Sequence, residues 1–191
     1  MSTRFLARQA VREQTLIAAI SLFQRKGYEL TTIEEIANKV GMSTRTFFRY
    51  FPSKEELLMG PTKFFMRNFL ESFERNLTTA DLWGALEFSL VESIVGCTDT
   101  HPDQSKHIQS IVVNTPALVA RQLEIGEQLQ SEATDRYLSC GFNTENLSWR
   151  TTNAIVRAGF ACLRTIQYSL GDGDLKNDLH QLMKDLRPRV I

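Results

Sequence analysis

The chain is poor in the residues that staple, span or catalyse. Its three cysteines, Cys97, Cys140 and Cys162, are odd in number, far apart and without CxxC or Cys/His spacing. That excludes a disulfide framework and a zinc site of the usual kind, and predicts reduced thiols buried in helices. No apolar run reaches the roughly eighteen residues of a membrane span, and the amino terminus is polar and basic rather than hydrophobic. A cytoplasmic protein with no membrane contact is expected. Repeats and low-complexity stretches are missing, and the five prolines and ten glycines are scattered. His101, His107 and His180 form neither an i,i+4 pair nor a set with a serine motif. With no acid/base pair, nucleophile motif or glycine-rich phosphate loop, the sequence predicts no catalytic residue, no metal and no cofactor. Net charge is zero, from 22 basic and 22 acidic residues, which argues against indiscriminate polyanion binding.

What the chain has is helix punctuation, densest in residues 31–57, TTIEEIANKVGMSTRTFFRYFPSKEEL. Thr32 followed by Glu35 is a capping box, so a helix begins near Ile33. Ile33, Ile36, Ala37 and Val40 recur at helical spacing, and Gly41 supplies a left-handed stop. Ser43 caps a second helix from Thr44 to Tyr50, which Pro52 ends because the residue before proline avoids helical angles. Two short helices about a tight turn make a helix-turn-helix, in which the start of the second helix faces base edges in the major groove. Ser43, Thr44 and Thr46 supply hydroxyls there, and Arg45 a guanidinium able to grip guanine bidentately.

The segment GMSTRTFFRYFPSKEEL, preceded by TTIEEIANKV and AISLFQRKGY, resembles the TetR family of transcriptional regulators over residues 8 to 58. The resemblance implies DNA contacts by Thr32, Ser43, Thr44, Arg45, Thr46, Phe48, Tyr50 and Lys54. Phe48 stands where many members carry a tyrosine whose hydroxyl bonds a phosphate, so its contact here would be apolar. Phe47 and Phe51 read as core, wedging the reading helix against Ile36, Leu22 and Phe23.

Charge divides the chain. Through Lys54 there are nine Lys and Arg against four Glu, a net of +5, and the remainder holds thirteen against eighteen, a net of −5. A basic head on an acidic body turns the head toward DNA. Arg4, Arg8 and Arg12 fall before or at the start of the first helix, either as an arm reaching phosphates or as a solvated terminus. Residues 1–54 are thus the expected DNA-binding domain, and residues 55–191 an all-helical ligand-binding and dimerisation domain.

The fold class expected throughout is all-α. Lys54 to Leu77 reads as a long helix broken at Gly60-Pro61. Helices follow from Asp81 to Val95, from after the Asp99–Pro102 loop to Asn114, and from Thr115-Pro116 to Ser139. After a turn at Cys140 to Asn143, a long helix runs from Glu145 to Leu170. Gly171-Asp172-Gly173 ends it, and a last helix, Asp174 to Leu186, carries Leu175, Leu179, Leu182 and Leu186 on one stripe. In the long helix Ala154, Ala158, Ala161 and Cys162 form a small-residue surface that permits close helix approach, within one chain or across a two-fold axis. The family resemblance implies the second, a homodimer through the last two helices.

Phe69, Trp83, Phe88, Trp149 and Phe160, with Met66, Phe73 and Tyr168, are either core or the lining of an inducer cavity between helices. Arg150, Arg157 and Arg164 recur every seven residues. They pair either with carboxylates such as Asp174, Asp178 or Asp185, or, through Arg157 with Arg121, with an acidic group on an apolar ligand. The expectation is a homodimeric repressor of a palindromic double-stranded operator, released by a small-molecule inducer. The alternatives are an architectural DNA binder or an activator without an inducer.

Overall fold

The computed structural model describes residues 3–98, 102–141, 146–168 and 174–188. Among them every regular element is an α-helix: α1 (Thr3–Lys26), α2 (Ile33–Lys39), α3 (Thr44–Tyr50), α4 (Lys54–Leu58), α5 (Gly60–Asn76), α6 (Leu82–Thr98), α7 (Pro102–Val113), α8 (Pro116–Ser139), α9 (Trp149–Tyr168) and α10 (Leu175–Asp185). The expected Asp99 loop, Asn143 and the Gly171-Asp172-Gly173 stop lie outside the described residues, as do the side chains of Cys97 and Tyr168.

Local chemistry sets most boundaries. Helix α1 begins at Thr3, so Arg4, Arg8 and Arg12 stand on its first turns rather than on an arm ahead of it. Gly27 ends α1 at φ 85°, its N–H donating to the Phe23 carbonyl at 2.8 Å. The break before α5 comes at Met59, which puts Pro61 in the first turn, where a missing N–H leaves no bond unmade. Helix α9 starts at Trp149 rather than near Glu145, because the Ser148 hydroxyl accepts the Thr151 N–H at 3.2 Å. Asp174 caps α10 by accepting from the N–H groups of Lys176 and Asn177.

The chain divides into two compact units, Met1–Pro61 with Pro102–Gln122, and Thr62–His101 with Leu123–Ile191. In the first unit α1 packs on α2 and α7, and α2 on α3. Its core holds Leu22, Phe23, Tyr28, Ile36, Ala37, Phe47, Phe51, Leu57, Leu58, Ile108, Val112 and Leu118. This unit reaches past residue 54 to include α4, α7 and the first turns of α8.

The second unit is built around α6, which packs on both α9 and α10 and is buried continuously from Leu82 to Glu87. Its core joins Phe69, Phe73, Trp83, Leu86, Leu90, Tyr137, Val156, Cys162, Leu179 and Met183. On α9 it is Gly159 and buried Cys162 that face the core, and a Cβ on Gly159 would meet Leu86 and Met183 at 3.5 Å, ordinary van der Waals contact. Ala154, Ala158 and Ala161 stay exposed on the opposite side of α9. In α10 the buried positions are Leu179 and Met183, whereas Leu175 and Leu186 of the expected stripe are exposed. Trp83 accounts for the register, since its Nε1–H donates to the Met183 carbonyl at 2.9 Å and a buried indole needs that partner.

Candidate nucleic-acid interface

The head is assembled from caps. Thr32 Oγ1 accepts the Glu35 N–H at 3.2 Å, and the Glu35 carboxylate accepts the Thr32 N–H at 2.8 Å, completing the box that opens α2. Lys26 pairs with the same carboxylate. These contacts, Lys26 foremost and then the Thr32 backbone and hydroxyl, hold Glu35 down at about 2. The turn after α2 places Gly41 at φ 71° and closes with the Met42 N–H on the Ala37 carbonyl at 2.9 Å. Ser43 then caps α3, its Oγ accepting the Thr46 N–H at 3.1 Å and lying 3.0 Å from the Thr46 hydroxyl.

Helix α3 consequently has two unlike faces. Phe47 is fully buried and packs its ring against that of Phe51, centroids 5.3 Å apart and tilted at 38°, which anchors the inner face. Thr44, Arg45, Phe48 and Arg49 are exposed, at spacings of one, three and four residues that keep them on one side of the helix. Thr46 and Tyr50 are half-buried at its edges. Arg49 was not among the residues expected from sequence, although its spacing from Arg45 by one helical turn was there to be read.

Three tertiary ties hold the head together, none of them visible in sequence spacing, and the first of them bears on α3. Arg12 of α1 donates from Nη1 to the Tyr50 carbonyl at 2.6 Å, and its guanidinium lies 4.6 Å from the centre of the Phe51 ring. The last carbonyls of a helix lack partners within it, so Arg12 works as a C-terminal cap on α3 supplied from another helix. Lys54 directs its ammonium at the Tyr28 and Thr31 carbonyls, at 2.9 and 3.1 Å, and sits 4.1 Å over the Tyr28 ring. Tyr28 in turn donates to Glu55 at 3.0 Å, and burial, reinforced by Glu55, pushes its phenol pKa up. Lys54 therefore closes the loop between α1 and α2 as well as opening α4.

Residues 16–59, which contain all of this geometry except Arg12, match the family described as bacterial regulatory proteins of the tetR family. The head of this chain, residues 16–59, is of the TetR type. Among curated relatives, the transcriptional regulator TcmR of Streptomyces glaucescens is 44% identical over 63 residues, 33% of this chain and 28% of TcmR. The alignments take in only about a quarter of each of the first curated relatives, 28%, 24% and 19% of their lengths. Likeness to solved structures extends over the whole fold. A TetR-family regulator from Syntrophomonas wolfei superposes with TM-score 0.65 at 20% identity, covering 93% of each chain. SmeT, the repressor of a multidrug efflux pump of Stenotrophomonas maltophilia, gives TM-score 0.59 at 20% identity over 92% of this chain and 88% of its own.

The body residues suggested by sequence divide between the two units. In the first unit, Arg121 donates from Nε and Nη2 to Glu56 Oε1 at 3.2 and 2.9 Å, tying α8 to α4. In the second, Phe69 is fully buried between Phe65 and Phe73 and meets half-buried Phe160 edge-on at 5.0 Å. Trp83 is core, whereas Phe88 and Trp149 are about half exposed, at 52% and 50%. Trp149 donates to Asp135 at 3.1 Å. Exposed Arg157 forks onto Glu127 of α8 at 3.0 and 2.6 Å and donates to Asn153 at 2.8 Å, which continues to Thr134 at 3.2 Å. That pairing draws the Glu127 carboxyl down, and it uses α8 rather than Asp174, Asp178 or Asp185. One cleft of about 220 Å³ opens between α5 and α6, lined by Asn68, Glu71, Ser72, Arg75, Glu92 and Ser93. Its groups largely satisfy one another, with Ser72 and Arg75 both on Glu92 and the Ser93 hydroxyl on the Ser89 carbonyl.

No group of three or more metal-ligating side chains occurs among the described residues, and no described helix is long and apolar enough to cross a membrane.

Proposed function

We propose that this chain is a transcriptional repressor that reads a palindromic operator as a homodimer and leaves it when a small molecule binds the body. The observation carrying the proposal is the outer face of α3, where Thr44, Arg45, Phe48 and Arg49 stand exposed on a helix fixed from behind by Phe47, Phe51 and Arg12. A short helix with a polar, cationic outer face and a locked inner face is what a major groove admits. Arg45 takes the base-reading role. Thr44 and Arg49 flank it as base or phosphate contacts, while Ser43, Thr46, Thr32 and Lys54 contribute chiefly by holding α2, α3 and the loop before α2 in place.

Two copies are needed because one such helix spans too few base pairs, and a two-fold dimer presents two at about 34–36 Å, one turn of DNA apart. Support for the pairing surface comes from α9 and α10. Ala154, Ala158 and Ala161 leave an exposed small-residue face on α9 flanked by Arg150, Arg157 and Arg164, and Leu175 and Leu186, at the two ends of α10, are exposed apolar residues. The repressor sense is taken from SmeT, which shares the fold.

Release follows from a shift of population. An inducer favouring a head spacing that misfits the groove weakens DNA binding by its differential affinity for the two states. An apolar inducer with an acidic group has to draw Arg121 from Glu56 or Arg157 from Glu127, since both guanidinia already hold carboxylates.

Selection of duplexes from a random pool, followed by fluorescence anisotropy on the selected sequence and on random DNA, tests the reading. A symmetric sequence should emerge, and Arg45→Ala should narrow its advantage over random DNA by ~10- to 100-fold, the value of a bidentate guanine contact. Salt-dependent binding to every duplex, with no sequence selected, overturns it.

A further inference from the structure

The outward face of α3 holds one residue that fits neither phosphate nor hydrogen-bond chemistry. Phe48 is 51% exposed, a large aromatic ring in the middle of a polar surface, with Thr44 one turn before it, Arg45 three residues before it and Arg49 next to it. It is not loose. Its ring meets the buried Phe47 ring edge-on, centroids 5.8 Å apart at 88°, so its base is braced by the core while its far edge projects outward. The half of the ring left in water is an unused hydrophobic contact, which binding recovers where the partner offers an apolar group of matching depth.

The major groove offers one such group. Among the base edges only thymine presents a methyl, at C5, and an apolar side chain distinguishes it from cytosine by contact alone. The cations on either side, Arg45 and Arg49, and the net +5 of the chain through Lys54 favour a polyanion over a protein or lipid partner for this face. Arg45 and Phe48 lie three residues apart on one exposed face of α3, within reach of neighbouring base pairs when that face lies in the groove.

We infer that Phe48 is a specificity residue that reads the 5-methyl group of a thymine beside the guanine gripped by Arg45. Each operator half-site then carries an A·T pair next to that G·C pair. This rests on the DNA-reading role proposed for α3 and adds to it the identity of a second base.

Removal of the methyl alone is the test. In the duplex selected by the full-length protein, each thymine is replaced in turn by uracil, which keeps every hydrogen bond and lacks only the methyl. One position per half-site should weaken wild-type binding by about fourfold, the worth of one buried carbon group. Phe48→Ala should bind more weakly and be insensitive to uracil at that position. The wild-type uracil scan does not depend on the variant's folding. A wild-type protein that selects a symmetric sequence yet ignores uracil at every position overturns the role of Phe48 and leaves α3 as the reading helix. Uracil sensitivity retained in Phe48→Ala assigns the methyl to another side chain and also overturns it. If no sequence is selected at all, the DNA-reading role falls, and the inference with it.

Discussion

Replacing Arg12 with Met separates a structural tie from a phosphate contact. The methionine keeps much of the apolar stem and removes the guanidinium. In the structure that group caps the Tyr50 carbonyl at 2.6 Å and covers the Phe51 ring at 4.6 Å. A hydrogen bond with a charged donor contributes ~1.5–3 kcal/mol and an exposed cation–π contact ~0.5–1 kcal/mol. Arg12 is only half-buried, so solvent screening places the sum near the lower end. A loss of about 2 kcal/mol remains, which is ~30-fold in an equilibrium constant. Because the contact sits at the end of α3, the effect should be local. Amide hydrogen exchange of residues 47–51 should accelerate by ~30-fold, while that of α6 and α9 stays unchanged. The salt dependence of DNA binding should keep its slope, whereas losing a phosphate contact lowers it by ~1. Exchange in α3 unchanged within about twofold, together with a slope reduced by one, would refute the capping role and return Arg12 to the phosphate backbone.

Lys54→Met removes both carbonyl contacts and the ring contact of its ammonium. It should lower the melting temperature of the protein and leave the salt slope unchanged, and an unaltered melt with a shallower slope would contradict this. Glu35 is held at about 2 against an ordinary 4.5 by Lys26 and Thr32. A depressed carboxylate stabilises the fold fully above its unfolded value and loses that contribution as pH falls toward its folded one. The melting-temperature gap between wild type and Glu35→Gln should therefore hold at neutral pH and close between about pH 4.5 and 2, and a gap constant across that window would contradict it. Ala158→Glu places a charge in the middle of the exposed α9 face without touching the core. Light scattering should report a folded monomer, and a persistent dimer would place the interface elsewhere.

The parts of this fold that could be read from sequence are those fixed by neighbours along the chain. The starts of α2, α3, α8 and α10 coincide with a hydroxyl or carboxylate at the cap, or with proline in the first turn, and each acts over three or four residues. Phe47 and Phe51 were legible as core because Thr44, Arg45 and Arg49 take the neighbouring outer positions, whereas Phe48 shows that an aromatic on so short a helix can also face out. What escaped was set at long range. The contact of Arg12 with Tyr50 spans 38 residues, and that of Trp83 with Met183 spans 100. Helical spacing alone did not tell which of α10's apolar residues face inward. The division of the small residues of α9, with Gly159 and Cys162 facing the core and the alanines facing out, depends on where α6 lies. Likewise the sequence offered Arg157 as a ligand contact or an ion-pair partner and Arg121 as a ligand contact, and only the fold sets Glu127 and Glu56 beside them.

Native mass spectrometry of the purified protein with its selected duplex tests the central claim most directly. A complex of two chains on one duplex, dissociating to half-occupied DNA only when one half-site is scrambled, is the result expected of paired α3 helices one turn apart. A single chain bound per duplex, with the same affinity for intact and scrambled sites, would contradict the two-fold reading of DNA.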